Sequence, residues 1–238
     1  SLEEFKNVLV PRWIAYFKSP NYYKINGKPL FQVFTPVYLK DYFGGVDKVV
    51  EAFAYFNQKA VEAGFAGVEI QCIESQLKRK GCAEEFKREG YDGAFAYNWL
   101  ELVPFSGSYY LDYTNRPDMD YKEWGEAAFA ELDRRAAANP HFQHYPNVSC
   151  GWDTNPRFPD DYYTPIALDN TPERFEYFLR KAKTWADKNI RKGKPKLILI
   201  NSLNEWTEGS YLEPDEEHGY GFLNAVARVF GGRGQAKE

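Results

Sequence analysis

Two glutamates, Glu205 and Glu208, stand three residues apart around Trp206 in the stretch LILINSLNEWTEGSYLEPD, residues 197–215. The stretch begins apolar, like a buried strand, and turns acidic where the apolar run ends. In a continued strand the two side chains would point to opposite faces, because the strand period is two. In a helical turn, positions i and i+3 share one face, with Cβ atoms about 5–6 Å apart. We therefore expect the chain to turn at Glu205, with Gly209 as a flexible exit.

Paired carboxylates suit a particular kind of chemistry. Two carboxylates at this separation repel, so one holds its proton more tightly, and a nearby tryptophan adds desolvation. A protonated carboxyl beside an ionised one can divide the roles of acid and base, as cleavage of a glycosidic bond requires. The structural alternative is a helix N-terminus whose dipole favours acidic side chains. Spacing alone leaves both interpretations open.

Strands must position this pair, and five short runs have strand character. Each is rich in β-branched or aromatic residues and is bounded by Gly, Pro or Asn. The runs lie near 29–35, 64–72, 91–99, 147–153 and 195–203.

Helical patterns fall between these runs. A period near 3.6 places Val46, Val49, Val50, Phe53, Ala60 and Val61 on one face of a helix. A second stripe comprises Phe175, Phe178, Leu179, Ala182, Ala186 and Ile190. Thr171 and Pro172 precede this stripe as N-cap and first helical residue. Alternating strands and helices predict an α/β fold with a parallel sheet.

Strand ends carry the candidate site residues. In a (β/α) barrel the chemistry gathers at the carboxyl ends of the strands. Four of the five predicted strands end in polar or aromatic groups that could converge there. These groups are Glu74, then Tyr97, Asn98 and Trp99, then Trp152 and Asp153, then Asn204 and Glu205.

A complete (β/α)8 barrel needs eight strands, whereas five are predicted here. We therefore expect a TIM-barrel type of which this chain covers about the last five βα units, without the N-terminal strands. Because an uncovered sheet edge is unfavourable, a missing N-terminal barrel half or a partner chain is expected to cover it. The expected organisation is one catalytic domain over 1–232, followed by a frayed tail over 233–238.

Composition excludes several classes of partner. The net charge is −4, which gives no support for binding nucleic acid, and no apolar run approaches the ~18 residues of a membrane span. No GxGxxG or GxxxxGK[ST] motif follows a predicted strand, and three scattered histidines make a weak metal site. The 18 Tyr, 18 Phe and 6 Trp suit both a large core and a cleft for sugar rings. The compartment is undetermined, with a periplasmic or secreted location slightly favoured.

Four segments resemble glycoside hydrolase family 99 and, more closely, the WbsX-like branch of that superfamily. The segment NSLNEWTEGSYLEPD resembles the family's glutamate motif, and SCGWDTNPRF resembles the strand-end motif before it. YDGAFAYNW resembles the strand that carries a tyrosine facing the site, and YYKINGKPLFQVF resembles a mid-barrel strand. The four segments follow the family order from residue 22 to residue 215. The resemblance likewise implies a chain that begins near the fourth barrel strand.

The resemblance implies a metal-independent glycoside hydrolase without a cofactor that cleaves α-linked, mannoside-like glycans with retention. Glu208 would be the general acid/base, and Glu205 would be the base that removes the proton of the sugar 2-hydroxyl. Tyr97 would bond near the reacting centre, while Asp153 and Arg157 would orient substrate or brace the glutamates. The other residues expected to bind substrate are Asn98, Trp99, Trp152 and Asn204. The substrate would be an oligosaccharide or polysaccharide.

One departure from the family keeps the sugar open. Its mannosidases carry histidine between the glutamates, where this chain has Thr207. Two alternatives to the hydrolase also remain open. The chain could be a WbsX-like glycosyltransferase in surface polysaccharide biosynthesis, although the sequence shows neither a Gly-rich phosphate loop nor a DxD motif. It could also be a carbohydrate-binding protein without turnover, although such a protein has no reason to hold two like charges together.

Overall fold

The computed structural model describes residues 1–73, 81–105, 118–160 and 162–231. The chain forms two compact units. One comprises Ser1–Phe95 and Arg135–His144, and the other comprises Ala96–Arg134 and Tyr145–Glu238. Glu74 and the predicted tail over 233–238 lie outside the described residues. The expectation of one domain over 1–232 stays a prediction.

Short strands alternate with helices along the described chain. The strands are β1 (Lys24–Ile25), β2 (Lys28–Val33), β3 (Glu69–Ile73), β4 (Gly93–Phe95), β5 (Met119–Asp120), β6 (Gln143–Tyr145), β7 (Asn147–Ser149), β8 (Ala167–Leu168), β9 (Leu199–Asn201), β10 (Asn204–Glu205) and β11 (Ser210–Tyr211). The helices are α1 (Leu2–Glu4), α2 (Val10–Phe17), α3 (Pro36–Phe43), α4 (Val46–Glu62), α5 (Cys82–Glu89), α6 (Tyr121–Ala138), α7 (Pro172–Asn189) and α8 (Gly221–Phe230). A π-helical turn, Phe5–Leu9, joins α1 to α2, and 3-10 turns cover Trp99–Glu101, Asn155–Arg157 and Trp206–Glu208.

The first unit is built on a sheet whose strand order is β1-β2-β3-β4-β6. Strands β2, β3 and β4 pair in parallel, whereas β1 and β2 form an antiparallel hairpin. Asn26 and Gly27 make the hairpin turn with positive φ angles of 51° and 78°, the region that Asn and Gly tolerate best. Parallel pairing of strands that are separated by helices is typical of an α/β fold.

Phe56 on α4 is the centre of the first unit's aromatic core. Its side chain is fully buried, and the ring centroids of Phe5, Trp13, Phe17 and Phe31 lie 5.2 to 6.0 Å from its own. Aromatic pairs at these separations stabilise beyond the area that they bury. One ring thus joins the N-terminal helical segment to strand β2.

The predicted stripe of α4 is confirmed in part: three of its six members are buried, Val46 and Val50 are half-buried, and one is exposed. Val49, Phe53 and Ala60 are buried, as are Ala52 and Phe56, which continue the same face. Val61 is exposed instead, because it falls beyond that face at the end of the helix.

The predicted stripe of α7 is confirmed in full. Its six members are all buried, and the Thr171 hydroxyl accepts the backbone N–H of Arg174 as the predicted N-cap. In the same unit β7 pairs in parallel with β9, and β5 pairs in parallel with β8.

The prediction of an α/β fold is confirmed, and each of the five predicted strand ranges overlaps an observed strand. The strands are shorter than predicted; the run over 91–99 ends at Phe95, for example, because Asn98 caps a 3-10 turn. Strand β6 was not predicted, because its polar Gln143 and His144 hide it, although both are buried. The described strands form one sheet of five and three sheets of two. Among them no closed barrel is found, so the TIM-barrel type stays a prediction.

The segment before the first predicted strand is helical, from Leu2 to Phe17. Across the described ranges, no helix combines the length and apolarity that crossing a bilayer requires.

Close approach of α6 to α7 stabilises the second unit. Phe178 on α7 is fully buried, with ring centroids 4.9 Å from Trp99 and 5.6 Å from Tyr121. Gly125 on α6 faces this ring so closely that an added β-carbon would overlap it.

We expect Gly125→Ala to destabilise the protein. Alanine gains about 1 kcal/mol of helix propensity, but overpacking a core costs about 1–3 kcal/mol. Chemical denaturation of the variant should therefore give a lower free energy of unfolding. In a Phe178→Leu background, where the ring is absent, Gly125→Ala should lower the free energy of unfolding by less. This loss is measured relative to Phe178→Leu alone. An unchanged cost in that background would contradict this packing.

Candidate active site

A short hairpin carries the glutamate pair. Strand β10 ends at Glu205 and pairs antiparallel with β11, and the 3-10 turn Trp206–Glu208 forms the loop between them. Gly209 ends the turn with φ 58°, and an added β-carbon there would lie 2.9 Å from the Asp153 backbone nitrogen. Only glycine combines this conformation with this close approach. The predicted turn at Glu205 is confirmed.

Arg157 bonds to both carboxylates. Its Nη2 donates to Glu205 Oε1 at 2.8 Å, and its Nη1 donates to Glu208 Oε1 at 3.0 Å. Its Nε donates to Thr207 Oγ1 at 2.9 Å, and that hydroxyl donates to Glu205 Oε1 at 3.1 Å. All three nitrogens of the planar group thus bond to one hairpin, and charged hydrogen bonds of this kind are roughly twice as strong as neutral ones. The two carboxylates therefore face a common guanidinium.

Asp153 links the turn of Arg157 to the turn of Glu208. Its Oδ1 accepts both the backbone N–H and the side-chain amide of Asn155, each at 2.8 Å, which shapes the 3-10 turn that carries Arg157. Its own backbone N–H donates to the Glu208 carbonyl at 2.7 Å. Its carboxylate contacts its own turn and not the glutamate pair, so Asp153 positions the site.

Tyr97 bonds to the second oxygen of Glu208. Its hydroxyl donates to Glu208 Oε2 at 2.9 Å. Burial, together with the bond to Glu208 and its charge, raises the pKa of Tyr97 to about 12. The phenol therefore stays protonated at neutral pH and remains a donor. Its backbone is fixed on both sides, since its N–H donates to Glu101 Oε2 at 2.7 Å and its carbonyl accepts from Asn147 Nδ2 at 3.1 Å.

The two glutamates differ in exposure. The Glu208 side chain is 11% exposed, whereas that of Glu205 is 39% exposed. Glu208 uses both carboxylate oxygens in the contacts above, while Glu205 receives Arg157 and Thr207 on Oε1 alone. The pair thus offers one enclosed carboxyl and one more exposed carboxyl whose second oxygen takes no part in these contacts.

Electrostatics at the pair differ from the sequence-based argument in one respect. That argument rested on repulsion between neighbouring carboxylates. The guanidinium of Arg157 lies between them and attracts both, so it offsets the repulsion.

Two residues to which the sequence analysis assigned no role in the site belong to it. Thr207 bridges Arg157 and Glu205, at the position where the resembling mannosidases have histidine. Asn201, at the end of β9, is buried next to the Tyr97 hydroxyl, and its amide lowers the Tyr97 pKa against the larger effects that raise it. Thr207 stands between the two glutamates in the motif, and Asn201 ends the apolar run before it, so both lie within the same quoted stretch.

Two predicted substrate residues lie elsewhere. Trp99 is fully buried against Tyr121, Trp124 and Phe178, with its indole N–H on the Asn147 carbonyl, so no ring face is left for a sugar. Asn98 is also buried, and its Oδ1 accepts the N–H of Leu100 as the cap of a 3-10 turn. We therefore do not retain either as a substrate residue.

The remaining predicted residues keep open surfaces. Trp152 is half-buried and lines two cavities, each of about 340 Å³. Asn204 is exposed on β10. Trp206 is 44% exposed, with one face stacked on Tyr211 at 3.8 Å and its indole N–H on Glu213.

A parallel-stranded α/β fold with a glutamate pair just beyond a strand end is an arrangement typical of carbohydrate-active enzymes. The chain belongs to the family described as Glycosyltransferase WbsX, whose model matches residues 3–226. The resemblance to the WbsX-like branch is therefore confirmed.

Similar proteins extend this assignment. Two proteins described as Uncharacterized protein WxcX, from two strains of Xanthomonas campestris pv. campestris, are each 26% identical over 217 residues, which is 90% of this chain. The chain spans 28% of the length of these relatives. A solved structure described as Glycoside hydrolase-like protein superposes with a TM-score of 0.60 and 16% identity, covering 96% of this chain and 60% of that one. The fold is therefore glycoside-hydrolase-like.

We expect Arg157→Lys to lower kcat/KM of the full-length protein on a carbohydrate substrate about 10- to 100-fold. Lysine keeps the charge but cannot bond in two directions in one plane, and hydrogen bonds to charged groups contribute about 1.5–3 kcal/mol each. The matched control is Arg174→Lys, since Arg174 bonds to Asp120 at 2.6 Å outside the site. Equal turnover by the two variants would contradict a role for the Arg157 fork.

Alkaline titration of tyrosine absorbance should detect the contact between Tyr97 and Glu208. The difference between wild type and Tyr97→Phe should show one tyrosine that titrates near pH 12. In Glu208→Gln this tyrosine should titrate earlier, because the bond to Glu208 and its charge both raise the Tyr97 pKa. Because the folded pKa exceeds the ordinary value of 10.0, the associated stability is complete below pH 10.0 and is lost as pH rises through about 12.

Tyr211 provides the control for this titration. Burial and Asp215 raise its pKa to about 12 as well. Its titration, isolated with Tyr211→Phe, should not respond to Glu208→Gln. A Tyr97 titration that is likewise unaffected would contradict the contact.

Proposed function

We propose that the protein is a retaining glycoside hydrolase that cleaves α-linked, mannoside-like bonds in an oligosaccharide or polysaccharide. The observation that carries the proposal is the fork of Arg157 on Glu205 and Glu208, at 2.8 and 3.0 Å. It holds two carboxyl groups on one face of a hairpin, where one sugar ring can reach both. Metal ions and cofactors have no part in this proposal.

In the first step, Glu205 acts as base and Glu208 as acid. Glu205 removes the proton of the sugar 2-hydroxyl, and that oxygen attacks its own anomeric carbon. The glycosidic bond breaks, and the leaving oxygen takes the proton of Glu208. The product is an epoxide-like sugar, with Glu205 now protonated and Glu208 now ionised. The open oxygen of Glu205 suits contact with a substrate hydroxyl, and the enclosed Glu208 suits an acid shielded from water.

In the second step, water attacks the anomeric carbon and gives a proton to Glu208. The bond between the anomeric carbon and the 2-oxygen breaks, and the 2-oxygen recovers its proton from Glu205. Two inversions at one carbon give net retention. Both carboxyl groups return to their starting states.

The pair carries one negative charge at every stage, and Arg157 carries the matching positive charge. The negative charge moves from Glu205 to Glu208 in the first step and back in the second. Because the guanidinium bonds to both carboxylates, it can stabilise either one without moving. The Tyr97 hydroxyl adds a donor to Glu208 when that carboxyl becomes charged.

A glycosyltransferase is the second candidate, because the family description names that activity. The same pair would serve if an acceptor hydroxyl replaced water in the second step. A transferase also needs an activated donor. Clear binding of nucleotide sugars to the full-length protein would therefore favour it over the hydrolase.

Two finer expectations are carried forward with this proposal. The parallel pairing of β2, β3 and β4, and of β7 with β9, supports a (β/α)8 TIM-barrel type of which this chain supplies about five βα units. The remaining units would come from a further part of the protein or from a partner chain.

Substitution of the glutamates tests the mechanism on an α-glycan panel with the full-length protein. We expect Glu205→Gln and Glu208→Gln each to lower kcat by about 10²–10⁴-fold, the usual contribution of a positioned acid or base. On aryl glycosides whose leaving group needs no proton, Glu208→Gln should show a smaller loss of kcat than on glycans. Glu205→Gln should show the same loss of kcat on both kinds of substrate. The control is Glu173→Gln, an exposed glutamate on α7.

The sugar itself supplies a second arm of this test. A substrate that lacks the 2-hydroxyl cannot form the epoxide, so it should not be cleaved. Cleavage of a 2-deoxy substrate at the normal rate would exclude Glu205 as the base on that hydroxyl. Full activity of both glutamine variants would exclude the proposal as a whole.

A further inference from the structure

An apolar cavity adjoins the carboxylate pair through Arg157. Its volume is about 340 Å³, a size suited to small-molecule ligands. Arg157 lines it together with Thr154 and Thr164. The rest of the wall is apolar and consists of Leu100, Pro104, Phe105, Trp152, Phe158 and Pro165.

Several polar groups of this wall are already engaged. The Thr154 and Thr164 hydroxyls bond to each other at 2.8 Å, and the Thr164 N–H donates to Asn155 Oδ1 at 2.7 Å. Three of the five N–H groups of Arg157 donate to the glutamate hairpin. The six apolar residues form most of the wall.

A hydroxyl that packed against the apolar residues of this wall would lose its water without a replacement partner, which is unfavourable. A methyl group would gain, because it would leave water for contact with aromatic and aliphatic walls. The cavity thus discriminates by polarity, and it shares Arg157 with the groups proposed to act on the sugar.

We infer that the substrate is a sugar that carries a methyl group toward this cavity. Two kinds of sugar supply such a group, a 6-deoxyhexose and a sugar with an acetyl substituent. The inference rests on the proposed function, since it takes the ring beside the carboxylates to be the ring whose substituent enters the cavity. It narrows the substrate from mannoside-like glycans in general to those with an apolar substituent.

Matched sugar pairs test the inference by binding alone. The probes are methyl α-D-mannopyranoside and methyl 6-deoxy-α-D-mannopyranoside, with saturation-transfer NMR and titration on the full-length protein. We expect the 6-deoxy sugar to bind about tenfold more tightly, the scale on which an apolar pocket discriminates one small group. A second pair, methyl α-D-mannopyranoside and its 6-O-acetyl ester, separates the acetyl source from the deoxy source and keeps the 2-hydroxyl.

Substitutions at two phenylalanines of similar exposure test whether the preference for the 6-deoxy sugar depends on the cavity wall. Phe158 is 41% exposed in the cavity wall, and Phe230 is 40% exposed on α8, outside it. Phe158→Ser should reduce the preference to about twofold or less, whereas Phe230→Ser should leave it at about tenfold. Leu100→Asn serves as a second wall variant, and thermal unfolding shows that each variant is folded.

Equal binding within both pairs, tighter binding of the more polar member, or binding of neither member would overturn the inference. A preference that persists in both wall variants would also overturn the inference. The proposed function fails separately, because it is tested by turnover of the glutamine variants. Loss of turnover in those variants with equal binding of the pairs would overturn the cavity inference alone. Normal turnover with clear discrimination would overturn the hydrolase proposal alone.

Discussion

The contact of one guanidinium with two carboxylates is the interaction on which the rest of the site depends. It requires two 3-10 turns, one carrying Arg157 and one carrying Glu208, to lie side by side. Asp153 joins them, by its side chain to the first turn and by its backbone to the second. Gly209 permits the approach, because any larger residue would collide with Asp153. The positions between and beside the charged groups are therefore as constrained as the charges themselves.

Charge balance explains why an arginine suits position 157 better than a third acidic residue or a neutral residue. Two ionised carboxylates alone would repel, and two protonated ones would contain no base. In the proposed mechanism the pair carries one negative charge, and Arg157 balances that charge on whichever carboxyl it lies. Exposure also distinguishes the two carboxyls, since the Glu208 side chain is 11% exposed and that of Glu205 is 39% exposed. The proposed mechanism assigns the acid to the enclosed carboxyl and the base to the more exposed one.

Sequence patterns predicted the repeating parts of this protein well. The buried stripe of α7, the parallel strands and the turn at Glu205 all follow from periodicity and turn chemistry, which act over neighbouring residues. Strand-end position did not predict side-chain direction. Trp99 follows β4 as expected, but the turn that Asn98 caps points the ring into the core. The roles of Thr207 and Asn201 were missed because they depend on partners distant in sequence, Arg157 and Tyr97.

Arg157 also separates two environments that a bound sugar would meet together. Its nitrogens bond to the glutamate hairpin, while the residue also borders an apolar wall that includes Trp152 and Phe158. A sugar ring has hydroxyls at its rim and C–H groups on its faces, so it has few orientations that place polar groups at the carboxylates and apolar groups at the wall. In the proposed mechanism this contrast in polarity would align the 2-hydroxyl with Glu205 before any bond breaks. Substrate selection and orientation for catalysis would then come from the same contrast between charged and apolar surfaces.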